Sequence, residues 1–266
     1  MKIGIVGCAG RMGRMLVKAV HETKGAELAG GSEAPHSDAV GEDPALLAGL
    51  PASGLKITAD ARTLFEVSDA VVDFTAPAAT VMHAQLAAET GTALVPGTTG
   101  LNADQQAAIA KAAQSVAIVQ AANYSVGVNL LLGLTEQAAK MLGPDFDIEV
   151  LEMHHRHKVD APSGTALALG HAAAAGRGVK LDEVSDRVRD GHTGERVRGH
   201  IGFATLRGGM VVGDHSVIFA SDDERIEITH KAADRGLFAK GAVLAALWAS
   251  DKPAGLYSMR DVLGFD

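Results

Sequence analysis

The densest chemistry in the chain lies at 154–165, His154-His155-Arg156-His157-Lys158-Val159-Asp160-Ala161-Pro162-Ser163-Gly164-Thr165, with three His, one Arg and one Lys in five positions. In a chain whose formal charge is −8, this is a local cationic patch suited to a small dianion. A His exchanges protons near neutral pH, and a Lys can hold a carboxylate or protonate a developing carbanion or enamine. Pro162-Ser163-Gly164-Thr165 then reads as a helix start, whose free N–H groups and dipole form a second anion site. Together these features predict a receptor for a dicarboxylate. A metal site built from His154, His155 and His157 is the competing reading. It is weakened because adjacent side chains on extended backbone point apart, no Cys is near, and the flanking cations oppose a metal ion. An ordinary solvated basic loop is the blander alternative.

A second cluster opens the chain. Gly7-Cys8-Ala9-Gly10-Arg11-Met12-Gly13 follows an apolar run and leads into a helical stretch. Such a turn lets backbone approach a pyrophosphate while a helix N-terminus supplies N–H groups and positive potential. The spacing is GxxGxxG, with Ala9 where the commoner GxGxxG has glycine. Glu33 stands where an acid can accept hydrogen bonds from the adenosine ribose. Strand, turn, helix and acid predict dinucleotide binding; the alternative is a tight strand–helix turn and nothing more. Gly97-Thr98-Thr99 and Ala121-Ala122-Asn123-Tyr124 also fall at predicted strand ends, where ligands of open α/β sheets bind. Either could equally be an ordinary β–α loop.

These residues need elements to position them. Short β-branched runs at 2–6, 26–30, 70–74, 92–95 and 116–120 alternate with helical stretches at 11–23, 78–89 and 103–114, the pattern of β-α-β units around a parallel sheet. Residues 34–55 read as a long loop. Near Asn123 the rhythm changes: a helix at 126–142, a strand at 147–153, a polar loop and a helix at 163–175. Strands are then expected at 201–205, 211–212, 217–220 and 225–229, with Gly208-Gly209 and Asp222-Asp223 as turns. A last helix is expected at 237–248. The fold class is α/β: a Rossmann-like dinucleotide-binding domain over 1–125, completed by 236–266, and an α+β domain with an open mixed sheet over 126–235.

Composition narrows the function classes. The chain has 266 residues, 47% apolar and 21% charged, with 24 Lys and Arg against 32 Asp and Glu. That balance gives no general draw toward nucleic acid or anionic lipid. One cysteine, Cys8, forms no internal disulfide and suits a reducing compartment, so a cytoplasmic protein is expected. The most apolar long window, 116–134, contains Gln120, Asn123, Tyr124, Ser125 and Asn129, too polar for a membrane span of about 20 residues. No membrane or nucleic-acid partner is expected.

The motifs carry a family likeness over nearly the whole chain. Val6-Gly7-Cys8-Ala9-Gly10-Arg11-Met12-Gly13, Asp73-Phe74-Thr75, Gly97-Thr98-Thr99-Gly100, Ala121-Ala122-Asn123-Tyr124-Ser125-Val126-Gly127-Val128-Asn129 and above all the 154–165 segment resemble the 4-hydroxy-tetrahydrodipicolinate reductase (dihydrodipicolinate reductase) family of the bacterial diaminopimelate–lysine pathway. The resemblance implies hydride transfer from NADH or NADPH to a cyclic unsaturated dicarboxylate, and a homotetramer built through the C-terminal domain. It implies that His154 donates or accepts a proton, that Lys158 donates one, and that His155, Gly164 and Thr165, beside Ser163 at the helix start, hold the substrate carboxylates. Residues 7–12 (Gly7, Cys8, Ala9, Gly10, Arg11 and Met12), Glu33, Gly97, Thr98, Thr99, Ala121, Ala122, Asn123 and Tyr124 match cofactor contacts. One departure matters. Members that accept the 2′-phosphate of NADPH often carry Arg directly after the acid, whereas here Glu33 precedes Ala34-Pro35-His36. A carboxylate without that guanidinium should prefer a ribose hydroxyl, so NADH is the expected cofactor, with His36 or Arg11 able to rescue NADPH. A reductase acting on another small dicarboxylate, and a nucleotide-binding regulator without turnover, are the alternatives.

Overall fold

The structure, a computed structural model, describes residues 1–265. The chain begins with β1 (Lys2–Val6), α1 (Arg11–Glu22), β2 (Glu27–Ser32), α2 (Pro44–Leu47), α3 (Ala61–Glu66), β3 (Ala70–Asp73), α4 (Pro77–Thr90), β4 (Ala93–Pro96), α5 (Ala103–Ala112) and β5 (Ala117–Val119). It continues through α6 (Val126–Leu142), β6 (Asp147–His154), α7 (Gly164–Gly176), α8 (Leu181–Val184), β7 (Ser185–Asp186), β8 (Ile201–Arg207), β9 (Asp214–Ala220) and β10 (Arg225–Lys231). Last come α9 (Gly236–Ala249), β11 (Gly255–Tyr257) and α10 (Met259–Leu263). Two compact units result: Met1–Val126 together with the segment from Gly236 onward, and Gly127–Arg235. Among the described residues no helix is long and apolar enough to cross a membrane.

The first unit is a parallel sheet in the order β11-β5-β4-β3-β1-β2. Its strands read as continuous apolar runs because both faces are covered. Neighbouring residues go to opposite sides: Val72, Val95 and Val119 join Leu16 and Val20 of α1 and Ala242, Val243 and Ala246 of α9. Val71, Leu94 and Ile118 join Leu64 and Phe65 of α3, Ala84 and Ala87 of α4 and Ile109 of α5. Helix α9 can lie close because Gly241 has no side chain; a Cβ there would meet Tyr124 O at 1.7 Å. Strand order reverses between β1 and β3, the switch point beyond whose C-terminal ends such sheets bind ligands.

The second unit is a mixed sheet, β10-β9-β6-β8-β7, with β6 parallel to β8 and antiparallel to β9. One face of β6 carries Ile148 and Val150, which pack with Leu131 and Ala139 of α6 and Leu169 and Ala173 of α7. The same buried row ends in Glu152 and His154. Opposite it, β9 aligns Phe219 with Ile148, Val217 with Val150 and His215 with Glu152.

Two local expectations are corrected. Val211 and Val212 form no strand. Because β6 lies between β8 and β9, the connecting chain must cross the end of β6; there Gly208 N donates to His154 O and Gly209 O accepts from Arg156 N. Residues 34–55 are not one loop, since α2 lies within them. Its cap, Asp43, accepts from Ala45 N, Leu46 N, Ser53 Oγ and Gly54 N, which organises the surrounding Gly and Ser.

Candidate active site

In the first unit the turn after β1 is closed by its own backbone. Gly7 has φ +65°, a region that favours glycine, its N–H donates to Ser32 O at 2.8 Å, and its carbonyl accepts from Gly10 N. A Cβ at Gly13 would lie 2.1 Å from Gly7 O and 2.6 Å from Cys8 Cα, so the turn presses directly on the first turn of α1. Gly10, the N-cap of α1, makes no side-chain capping bond, leaving a backbone cradle of the kind that receives phosphates. Glu33 reaches the same turn, its Oε1 accepting from Ala9 N at 2.8 Å. Cys8 faces the other way: it is buried, and burial pushes its thiol up to about 12.

The other predicted segments lie at the ends of β4 and β5. Thr98, Thr99, Gln106, Gln120, Ala121 and Ala122 line a cavity of about 300 Å³, which brings the β4 and β5 ends together. Thr98 Oγ1 accepts from Thr80 Oγ1 at 2.8 Å, and Asn123 Oδ1 accepts from Ser125 N. The Tyr124 side chain points into the core, where its hydroxyl donates to Pro96 O (3.0 Å) and Val119 O (2.5 Å); burial drives it well above the usual tyrosine range. Any contact it makes with a ligand is therefore through backbone. Sequence reasoning did not find His83. Its Nδ1 lies 2.9 Å from Asp73 Oδ2 while Thr75 N and Oγ1 donate to Asp73 Oδ1, fixing the β3–α4 turn against Gly7, at which a Cβ would meet Thr75 Cγ2 at 2.9 Å.

In the second unit the buried row of β6 turns from apolar to ionisable at its C-terminal end. His154 Nδ1 lies 2.6 Å from Glu152 Oε2. Arg207 of β8 donates Nη1 to Glu152 Oε2 (2.8 Å) and Nη2 to Oε1 (3.0 Å), and Ser163 N donates to Oε1 at 3.1 Å. Burial alone would raise the Glu152 carboxyl, but Arg207, His154 and the Ser163 amide outweigh it and hold it below the usual range. Ser163 caps α7 by accepting from Ala166 N, so its hydroxyl hydrogen is free to go to His215 Nε2, 3.1 Å away. Burial, then the neighbouring His154, bring His215 down to about 4; at neutral pH it is an uncharged ring standing edge-on to His154 at 5.1 Å.

The loop after β6 is less bare than its sequence. Lys158 Nζ is held by both oxygens of Asp160, at 2.7 and 2.8 Å, and Asp160 O accepts from Arg207. His155 Nδ1 is buried without a hydrogen-bond partner, and desolvation, Arg235 and His157 hold the ring below the ordinary histidine range. Beside Gly164 a side chain would meet open space, so the start of α7 is accessible there. Glu152, Arg207 and His215 escaped sequence reasoning. The signal was the two-residue period Ile148, Val150, Glu152, His154, which sends the last two into the core.

A parallel sheet with a glycine turn at its switch point, joined in one chain to a mixed sheet whose central strand ends in buried ionisable side chains, is the frame of a nicotinamide-dinucleotide-dependent oxidoreductase, and the comparisons with known proteins place the chain in that class. Residues 1–124 match the family described as "Dihydrodipicolinate reductase, N-terminus" and 127–263 the family "Dihydrodipicolinate reductase, C-terminus". Proteins named 4-hydroxy-tetrahydrodipicolinate reductase from Afipia carboxidovorans and Rhodopseudomonas palustris (strain HaA2) are 56% and 55% identical over 99% of this chain and 97% of their own length. The dipicolinate-bound dihydrodipicolinate reductase of Paenisporosarcina sp. TG-14 shares the fold, with TM-score 0.78, 23% identity and 97% of each chain covered. An amine dehydrogenase of Mycobacterium smegmatis is similar in fold at TM-score 0.64 and 13% identity, over 96% of this chain and 94% of that one. The chain belongs to the dihydrodipicolinate reductase family.

Proposed function

We propose that the protein reduces 4-hydroxy-tetrahydrodipicolinate to tetrahydrodipicolinate with loss of water, using NADH in preference to NADPH, and that the work divides between the units: the first, residues 1–125 completed by 236–266, holds the cofactor, while 126–235 hold the substrate and form the oligomer. The observation that carries this reading is the sequence of groups at the end of β6: a buried, carboxylate-backed His154, then Lys158, then the Ser163-capped start of α7. The family names of the relatives and the dipicolinate in the Paenisporosarcina protein agree with a small cyclic dicarboxylate.

The cradle fits a dinucleotide, because Gly7, Gly10 and Gly13 let the turn close directly on the start of α1, where a Cβ at Gly13 would meet Gly7 O at 2.1 Å, and Glu33 stands beside it. When bound there, a nicotinamide dinucleotide supplies a hydride. Arg11 and Met12, whose N–H groups open α1, would hold its pyrophosphate beside the turn shaped by Gly7, Ala9 and Gly10, with Cys8 supporting the turn from behind and Gly97, Thr98, Thr99, Ala121, Ala122 and Asn123 flanking the remainder. His155, Ser163, Gly164 and Thr165 hold the substrate carboxylates, with α7's N-terminal dipole favouring the negative charge. Substrate carboxylate draws Lys158 from Asp160. His154 or Lys158 then delivers the proton that balances hydride addition and departure of the hydroxyl as water. Glu33, lacking a following Arg, supports NADH: its charge accepts ribose hydroxyls and repels a 2′-phosphate. The single cysteine supports a cytoplasmic setting, and the family likeness supports a homotetramer.

The test is loss of nicotinamide absorbance with NADH and NADPH in parallel, the substrate being made in place by condensing pyruvate with aspartate semialdehyde. Oxidation that requires the condensation product is expected, faster with NADH. NADH binding without oxidation would overturn the reaction, and a clear NADPH preference the cofactor assignment. His154→Gln and Lys158→Ala are each expected to lower kcat by about 10²–10⁴; wild-type rates in both would remove them from the chemistry.

A further inference from the structure

Proton transfer by an imidazole requires one ring nitrogen to be held and the other turned to the reactant. The chemistry proposed above uses His154 but leaves Glu152 without a part, although that carboxylate is 1% exposed and sits at the centre of the cluster. Its Oε2 faces His154 Nδ1 at 2.6 Å and also accepts from Arg207 Nη1; its Oε1 accepts from Arg207 Nη2 and from Ser163 N. A carboxylate so surrounded stays ionised and can only accept. Nδ1 must therefore carry a proton whether the ring is neutral or charged. The remaining nitrogen, Nε2, lies on the side of Gly213, where a Cβ would come within 3.0 Å of it; the missing side chain leaves that nitrogen uncrowded.

We infer that Glu152 is a positioning residue for the reaction: it fixes His154 as the Nδ1–H tautomer so that Nε2 exchanges the proton, and through Ser163 N the same carboxylate sets the start of α7 relative to that ring. The inference rests on His154 being the proton-transferring group. The charged and titratable groups around the pair are Arg207 from β8, His215 from β9, and His155, Lys158 and Asp160 from the loop. None of them replaces Glu152 at Nδ1: Arg207 is a cation spent on Glu152 itself, and His215 meets Ser163.

Glu152→Gln separates this role from simple support. With two donors at Oε1 and an Arg plus a ring nitrogen at Oε2, the amide oxygen takes the Oε1 place and the NH₂ faces His154. The ring must then accept at Nδ1, so its single proton sits on Nε2 and it no longer forms the imidazolium, held through Nδ1–H, that gives up a proton from Nε2. Full-length wild type, Glu152→Gln and His154→Gln are compared by ¹⁵N spectra of the ring nitrogens, the His154 signals being those lost in His154→Gln, and by steady-state kinetics. The expected results are a proton on Nδ1 in the wild type, on Nε2 in Glu152→Gln, and a fall in kcat of about 10²–10⁴-fold with little change in KM. A neutral wild-type ring protonated on Nε2 and not on Nδ1 overturns the inference without any variant. So does Glu152→Gln turning over like the wild type while His154→Gln is impaired. Wild-type turnover in His154→Gln would instead overturn the role given to His154, and the tautomer measurement would still decide what Glu152 does to the ring.

Discussion

Replacing Gly13 with alanine sets two effects of opposite sign against each other. Gly13 lies in the first turn of α1, and alanine in a helix is favoured over glycine by about 1 kcal/mol. The new Cβ, however, would sit 2.1 Å from Gly7 O and 2.6 and 2.7 Å from Cys8 Cα and C. Non-bonded carbons settle at about 3.5–4.0 Å, so strand end and helix must separate by about 1 Å. No rotamer change relieves this, because every atom met is main chain. Overpacking of this kind costs about 1–3 kcal/mol, which leaves a net loss of about 0–2 kcal/mol and a Tm lower by a few degrees. The effect on binding should be larger: a misplacement of about 1 Å in a positioning element is worth about 10²-fold, and this turn is the element that approaches the pyrophosphate. A fluorescence titration with NADH alongside a thermal melt reads both quantities. Wild-type NADH affinity in Gly13→Ala, whatever its Tm, would refute the cradle.

Other perturbations probe other parts. His215 is at about 4 in the folded chain against 6.5 ordinarily, so the unfolded chain takes up a proton first and stability falls as pH drops through that window, by about 2 kcal/mol at pH 5. Urea unfolding at pH 7 and pH 5 should show His215→Gln free of that share of the loss; an equal loss in both proteins would contradict it. Tyr124→Phe leaves Pro96 O and Val119 O without their donor and should cost about 1–3 kcal/mol with NADH affinity unchanged. A large loss of affinity at unchanged Tm would instead make the hydroxyl a ligand. Glu33→Gln keeps an acceptor for Ala9 N but removes the charge, and should raise NADPH use relative to NADH roughly tenfold, at the low end of the ~1–4 kcal/mol between unit charges about 4 Å apart. Parallel kinetics with both cofactors would show an unmoved ratio if Glu33 were only a strut for the turn.

Periodicity made much of this fold readable. The strand at 2–6 and the helix at 126–142 coincide with β1 and α6, since in both the apolar pattern stops where the structure does, at Gly7 and at Gly143-Pro144. The short elements were hidden because capping, not apolar periodicity, defines them. Asp43 before Pro44, Asp60 before Ala61 and the Ser258 to Asp261 capping box start α2, α3 and α10, and each helix is too brief to show a stripe. Val211 and Val212 mislead for the opposite reason: β-branched side chains favour a strand, but the path from β8 across β6 to β9 leaves none to form. At the site, proximity in sequence exposed His154, Lys158 and Ser163. Of the groups that hold them, Glu152 and Asp160 lie close in sequence, whereas Arg207 of β8 and His215 of β9 meet β6 only through sheet register. His83 is hidden similarly, as one polar residue among several on an alanine-rich helix, and its partner Asp73 lies on β3.

The return of α9 and β11 to the first sheet has a consequence for biosynthesis. Ala242, Val243, Ala245, Ala246 and Ala249 cover one face of that sheet, and β11 pairs with β5, yet all of them leave the ribosome after Arg235. The second unit, Gly127–Arg235, is contiguous, so every residue of its sheet has been made before the first unit can close. Until then Val72, Val95 and Val119 have only part of their cover, and the unit begun first is the one finished last.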